Sequence, residues 1–153
     1  MFDLKRGGGS FKGIIGECMF KLTNKNVVIT KFFNKNKYMA VFRRHFTPIQ
    51  QEFLFENWHS LDAIDIIFET GIKRIILYEI KTRNKYEQEL HHKPKMTLET
   101  HHLYNQAKEL GFITKIATVW LLNDWKYDLE IKDFDEKDYY IDSPKLYDKR
   151  ARG

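Results

Sequence analysis

A single cysteine, Cys18, is all the thiol chemistry this chain carries. That excludes an internal disulfide and any cysteine-rich zinc site, and it suits a reducing cytoplasm. No apolar run approaches the ~20 residues that span a bilayer, and the start lacks the apolar stretch of a secretion signal. The expectation is a cytoplasmic protein without membrane contact. Acid is scarce where base is plentiful. Residues 1–50 hold ten lysines and arginines against Asp3 and Glu17 alone, a net of +8, whereas residues 51–153 net −3. No internal repeat is visible.

What is present is an ordinary globular composition: 153 residues, 42% hydrophobic and 31% charged, enough for one domain with its own core. A half-chain this basic points to nucleic acid, since Lys and Arg bind by displacing the counterions of phosphates. The alternative is a merely soluble basic surface.

Residues 1–9 read as a mobile basic arm, with Lys5-Arg6 ahead of three glycines. Ser10 is a candidate N-cap for a helix to about Leu22, whose apolar positions recur at helical spacing. Val27–Phe33 and Tyr38–Phe42 bracket Asn34–Lys37 and read as a hairpin. Thr47-Pro48 signals a short helix to about Glu56. Leu61–Phe68 and Arg74–Lys81 read as strands joined through Thr70-Gly71. Thr97–Leu110 reads as a helix ending at Gly111, and Ile113–Leu122 as a buried strand with Lys126–Ile131 returning beside it. The order gives an α/β domain over residues 10–133, a mixed central β-sheet flanked by helices. Residues 134–153 form a C-terminal extension with an edge element and a loose tail.

Two carboxylates sit in strands that otherwise read as buried on both sides: Asp65 in Ala63–Phe68 and Glu79 in Ile75–Lys81. A buried carboxylate must be paired, hydrogen-bonded or metal-bound. Glu79 and Lys81 share a face, so a structural ion pair is one reading. The other is a site for Mg²⁺ or Mn²⁺, which prefer hard oxygen ligands and leave places for water and phosphate. Asp62 competes with Asp65. A two-residue loop at Thr70-Gly71 pairs Asp62 with Glu79, while an odd-numbered loop puts Asp65, Glu79 and Lys81 on one face. Asp65 is preferred for its apolar flanks.

This constellation resembles the PD-(D/E)XK nuclease superfamily, whose pattern is an acid on one strand, a loop, then acid-x-Lys on the next. It is most similar to the archaeal Holliday junction resolvases. The matching stretches are Gly13-Ile14-Ile15-Gly16-Glu17, Glu79-Ile80-Lys81-Thr82-Arg83 and Lys108-Glu109-Leu110-Gly111-Phe112. The likeness covers roughly Lys12 to Leu122; residues 33–60 are longer than in those resolvases. It implies a restriction-endonuclease-like core and a symmetric homodimer cutting DNA, with branched DNA as a substrate class, using a divalent metal. Glu17, Asp65 and Glu79 would hold metal and its waters, and Lys81 would assist the attacking water. Lys5, Arg6, Lys12, Arg43, Arg44, Arg83 and Lys85 are candidate DNA contacts, with Lys73-Arg74 as further phosphate contacts. Rival readings are a nuclease for linear, flap or single-stranded DNA, and a non-catalytic DNA-binding module. His91-His92 and His101-His102 lack the spacing of a zinc set, and Cys18 reads as a core residue.

Overall fold

The computed structural model describes residues 8–84, 93–123 and 125–142, the first three without their side chains. Helix α1 (Gly8–Thr23) leads into a two-residue strand β1 (Val28–Ile29), then α2 (Lys35–Phe42) and α3 (Pro48–Asn57). Strands β2 (Ala63–Glu69) and β3 (Ile72–Asn84) follow. After them come β4 (Lys95–Thr97), α4 (Leu98–Glu109), β5 (Ile113–Leu121), β6 (Tyr127–Asp133) and β7 (Tyr140–Asp142).

Five strands form one mixed sheet in the order β1-β2-β3-β5-β6, parallel only between β3 and β5 and antiparallel elsewhere. Helix α4 makes the crossover that a parallel pair requires. Side chains on one face, including Ala63, Ile76, Tyr78 and Ala117, cluster with Phe20 of α1. Those on the other, including Ile64, Leu77 and Ile116, cluster with Tyr38, Leu54 and Tyr104 from the remaining helices. The α/β class and the flanking of the sheet on both faces are therefore as expected. Among the described residues no helix is long and apolar enough to cross a membrane.

The hairpin expected over residues 27–42 is not formed. Only Val28 and Ile29 pair, against Ile64 and Ala63, and residues 35–42 are helical. The Asn34 side chain accepts from the Lys37 N–H at 3.1 Å as an N-cap, a competing signal to the β-rich composition. Tyr38 is buried against Trp58, Phe42 and Phe46, so tertiary packing overrides local propensity. The Trp58 indole donates to the carbonyls of Thr30 and Phe33 at 3.0 and 3.1 Å, holding residues 30–33 away from strand pairing.

Other local signals act as read. Thr47 and Gln50 close a reciprocal capping box with Pro48 at the helix start, and Thr97 caps α4. Gly111 ends that helix region at φ +96°. Beyond Asp133, Phe134 and Tyr139 enter the main core and β7 pairs with β4. Cys18 is exposed rather than in the core, because it lies on the side of α1 turned away from the sheet.

Candidate active site

The decisive local feature is the β2–β3 turn. Thr70 and Gly71 both have positive φ, 49° and 79°, the conformation of a two-residue hairpin loop matched to strand twist. Glu69 then pairs with Ile72, Asp65 with Ile76 and Ala63 with Tyr78. Partners across a ladder share a face. Asp65 consequently lies on the α1 face beside Ile76, and the expectation that it joins Glu79 and Lys81 is corrected. Asp62, one residue before β2, takes that place. The reason is parity: an even loop puts the even-numbered aspartate opposite the odd-numbered glutamate.

Asp62 is held from three directions. Its Oδ2 accepts the Ile80 N–H at 2.7 Å, its side chain hydrogen-bonds that of Glu79, and its carbonyl accepts the Thr30 N–H at 3.1 Å. Burial pushes the Asp62 carboxyl well above the usual range. The charge and hydrogen bond of Glu79 push it further, against partial relief from the Ile80 N–H and Lys81. Glu79 is buried, and its Oε2 lies 3.3 Å from Lys81 Nζ.

Tyr104 of α4 closes the site from below. It is fully buried, and its hydroxyl donates to the Tyr78 carbonyl at 2.9 Å. The same oxygen meets the Asp62 backbone N–H and the Glu79 side chain. One hydroxyl thus ties the start of β2 to the middle of β3 under the carboxylate pair. Nothing in sequence spacing singled it out, because a tyrosine on a helix face reads as core.

Glu17 approaches from α1. Lys31 Nζ donates to its Oε1 at 2.9 Å, while its Oε2 is buried with no hydrogen-bond partner. Burial raises its pKa, Lys31 lowers it, and the Asp62 charge raises it again, so Glu17 and Asp62 sense one another. The close approach of α1 follows from Gly16. A Cβ there would fall 1.8 Å from Thr82 Oγ1, whereas Gly13 has open space around it. Lys31 was not anticipated in the sequence; it depends on the turn of the chain after β1.

The remaining candidates divide. Arg83 is on the Glu79–Lys81 face of β3, half-buried, its guanidinium donating to the Thr82 carbonyl at 2.9 Å. Lys12 is half-buried on α1. Arg43 and Arg44 are exposed in the turn after α2, and Arg44 flanks the opposite end of β3, around Arg74 and Ile75. Lys5, Arg6 and Lys85 lie outside the described residues. Asp65 has a carboxyl raised by burial, offset by the Ile66 N–H and by Lys21.

Among the described residues no three His, Cys, Asp or Glu side chains are drawn together as a ready metal cluster. The donor chemistry nonetheless fits a hard divalent cation. Two hydrogen-bonded carboxyls and an orphaned buried carboxylate oxygen at one sheet end are oxygen donors in excess of the local cations. Chemically the arrangement can bind a cation with loss of a proton, and can present an ammonium beside it. Comparison of the chain with family models, with curated proteins and with solved structures finds no match.

Proposed function

We propose that the chain is a divalent-metal-dependent nuclease that hydrolyses DNA phosphodiester bonds, a PD-(D/E)XK enzyme of the Holliday-junction-resolvase kind. The observation that supports it is the convergence of Asp62, Glu79 and Lys81 on one strand end with Glu17 close by. The acid, loop, acid-x-lysine order of the resemblance is kept, with Asp62 rather than Asp65 in first place.

Asp62 and Glu79 would hold Mg²⁺ or Mn²⁺, with Glu17 completing the set directly or through water. The bound ion would polarise the phosphoryl oxygen and lower the pKa of a water. Asp62 must give up its proton for that binding, so affinity falls in acid. Lys81 orients the attacking water or offsets charge on the phosphoryl group. Tyr104 fixes the spacing of the two carboxylates. Lys12 and Arg83 contact the DNA backbone, positioning the duplex without reading sequence. A symmetric homodimer belongs to the same reading and is checked by sedimentation equilibrium.

The test is cleavage of a panel of junction, flap, nicked and linear DNA, with and without Mg²⁺. Metal-dependent cutting of any member is the expected result; intact DNA throughout, in Mg²⁺ and in Mn²⁺, refutes the reading. The ion pairs Lys81–Glu79 and Lys31–Glu17 favour one rival, a non-catalytic DNA-binding module. That rival predicts tight DNA binding with no cleavage.

A further inference from the structure

At the opposite end of β3 from the carboxylates, cations converge on one concavity of about 420 Å³. Arg44 comes from the turn after α2, with the His45 ring beside it, and Lys73 and Arg74 from the start of β3. Thr47 and Gln50, from the first turn of α3, form another wall. None of the residues lining it is acidic. Glu69 pairs with one of these cations, its Oε2 3.5 Å from Arg74 Nε with both side chains about half exposed, a pair worth little in water.

The cations are brought together by structure rather than by sequence proximity. Lys73 Nζ donates to the His45 carbonyl at 2.5 Å, across 28 residues of chain. That hydrogen bond draws the ammonium into the wall of the concavity. Burial, then the charges of Arg44 and Lys73, lower the proton affinity of the His45 ring. Like charges gathered from separate segments repel, and a bound anion relieves that repulsion. Helix α3, ten residues long, adds its positive N-terminal end to the same space. The volume is at the low end of small-ligand sites and suits a compact anion.

We propose that this concavity binds a phosphate group through Arg44, Lys73 and Arg74, with the rim of α3 behind it. The phosphate is offered either by a nucleic-acid backbone or by a small phosphorylated ligand. The site is independent of hydrolysis at Asp62 and Glu79, so the two readings fail separately.

The experiment uses the full chain without metal. Inorganic phosphate, pyrophosphate and a short DNA duplex are titrated in turn, with binding followed by the NMR resonances of the His45 ring and the Thr47 and Gly111 amides. Saturable shifts of these resonances are expected with at least one of the three. Lys73→Glu and Arg44→Glu should each weaken that binding at least tenfold without altering the melting temperature, and Lys73→Gln should fall between. Saturation by pyrophosphate as tight as by duplex assigns a small ligand. Saturation by duplex alone, with the salt slope reduced by about one per cation removed, assigns a strand backbone. Absence of saturable shifts with all three, or shifts indifferent to both charge reversals, overturns the proposal.

Discussion

Strand β3 carries charge in two places under opposite conditions, exposed cations at its start and a buried carboxylate with its lysine farther along. Lys73 and Arg74 begin the strand in solvent, while Glu79 and Lys81 near its far end are largely buried. At ~3.3 Å per residue Lys73 and Lys81 are roughly 26 Å apart. Exposed cations keep their hydration, so their mutual repulsion is screened and costs the fold little. The buried carboxylates require hydrogen bonds from the Ile80 N–H and between their own side chains, plus a lysine at 3.3 Å. Apolar residues of similar size would commonly be as stable or more so. Such expense marks the buried end as the place to look for chemistry, and the exposed end as a place to look for binding.

The largest expected effect separates Asp62 from Asp65. Under the nuclease reading, Asp62→Ala or Glu79→Ala should lower kcat by about 10²–10⁴-fold, the scale of losing an acid–base or electrostatic group. Asp65→Ala should change it less than about threefold on the same reasoning. Equal losses from Asp62→Ala and Asp65→Ala in single-turnover cleavage would erase the distinction between the two faces of β2.

Next is the helix that brings Glu17 to the buried end. Gly16→Ala places a methyl 1.8 Å from Thr82 Oγ1. It should destabilise by about 1–3 kcal/mol, as overpacking does. Thr82→Ala in the same chain should recover part of the loss in thermal melts. No recovery would mean that α1 is not seated on Thr82. Tyr104→Phe removes the hydroxyl that donates to the Tyr78 carbonyl at 2.9 Å and should cost about 1–3 kcal/mol by leaving a buried acceptor unpaired. If its hydroxyl also spaces the carboxylates, the pH midpoint of Mg²⁺ binding should move; a stability loss with an unchanged midpoint would limit Tyr104 to the core.

A smaller effect concerns pH. Asp62 binds its proton more tightly folded than unfolded, so stability falls as pH rises from about its ordinary value of 3.8 to its raised folded value, and stays lower above that. Without metal, the melting temperature of the wild type should therefore drop relative to Asp62→Asn as pH increases. Parallel curves for the two proteins would show that the carboxyl is not perturbed. Smallest is Arg83→Ala, expected to weaken DNA binding a few-fold and reduce the salt slope by about one. An unchanged slope would remove Arg83 from the phosphate contacts.

Much of this was legible in the chain. Thr47-Pro48, Thr97 and Gly111 announce α3 and α4 because capping is local chemistry. Apolar runs announce β2, β3 and β5, and Glu79 with Lys81 stands out as charge set in such a run. Glycine at position 16 hinted at a close helix approach that Thr82 explains. The choice between Asp62 and Asp65 was not legible, because it rests on whether the hairpin loop has an even or odd number of residues. Helix α2 is hidden in the sequence because Tyr38 and Phe42 suit a strand as well as a packed helix. Tyr104 and Lys31 reach the site only through long-range packing, which periodicity does not encode.

Asp62 and Glu79 are seventeen residues apart and face one another across a two-residue turn, so in folding their encounter is a local event. Hairpins close in about 1–10 μs, whereas pairing of β3 with β5 must wait for the crossover through α4. The expected order is that the carboxyls meet first in water and are desolvated later, when α4 docks Tyr104 beneath them. Proton uptake by Asp62 then belongs to the late, core-closing step. Stopped-flow refolding without metal should show that step accelerating in mild acid for the wild type and losing its pH dependence in Asp62→Asn.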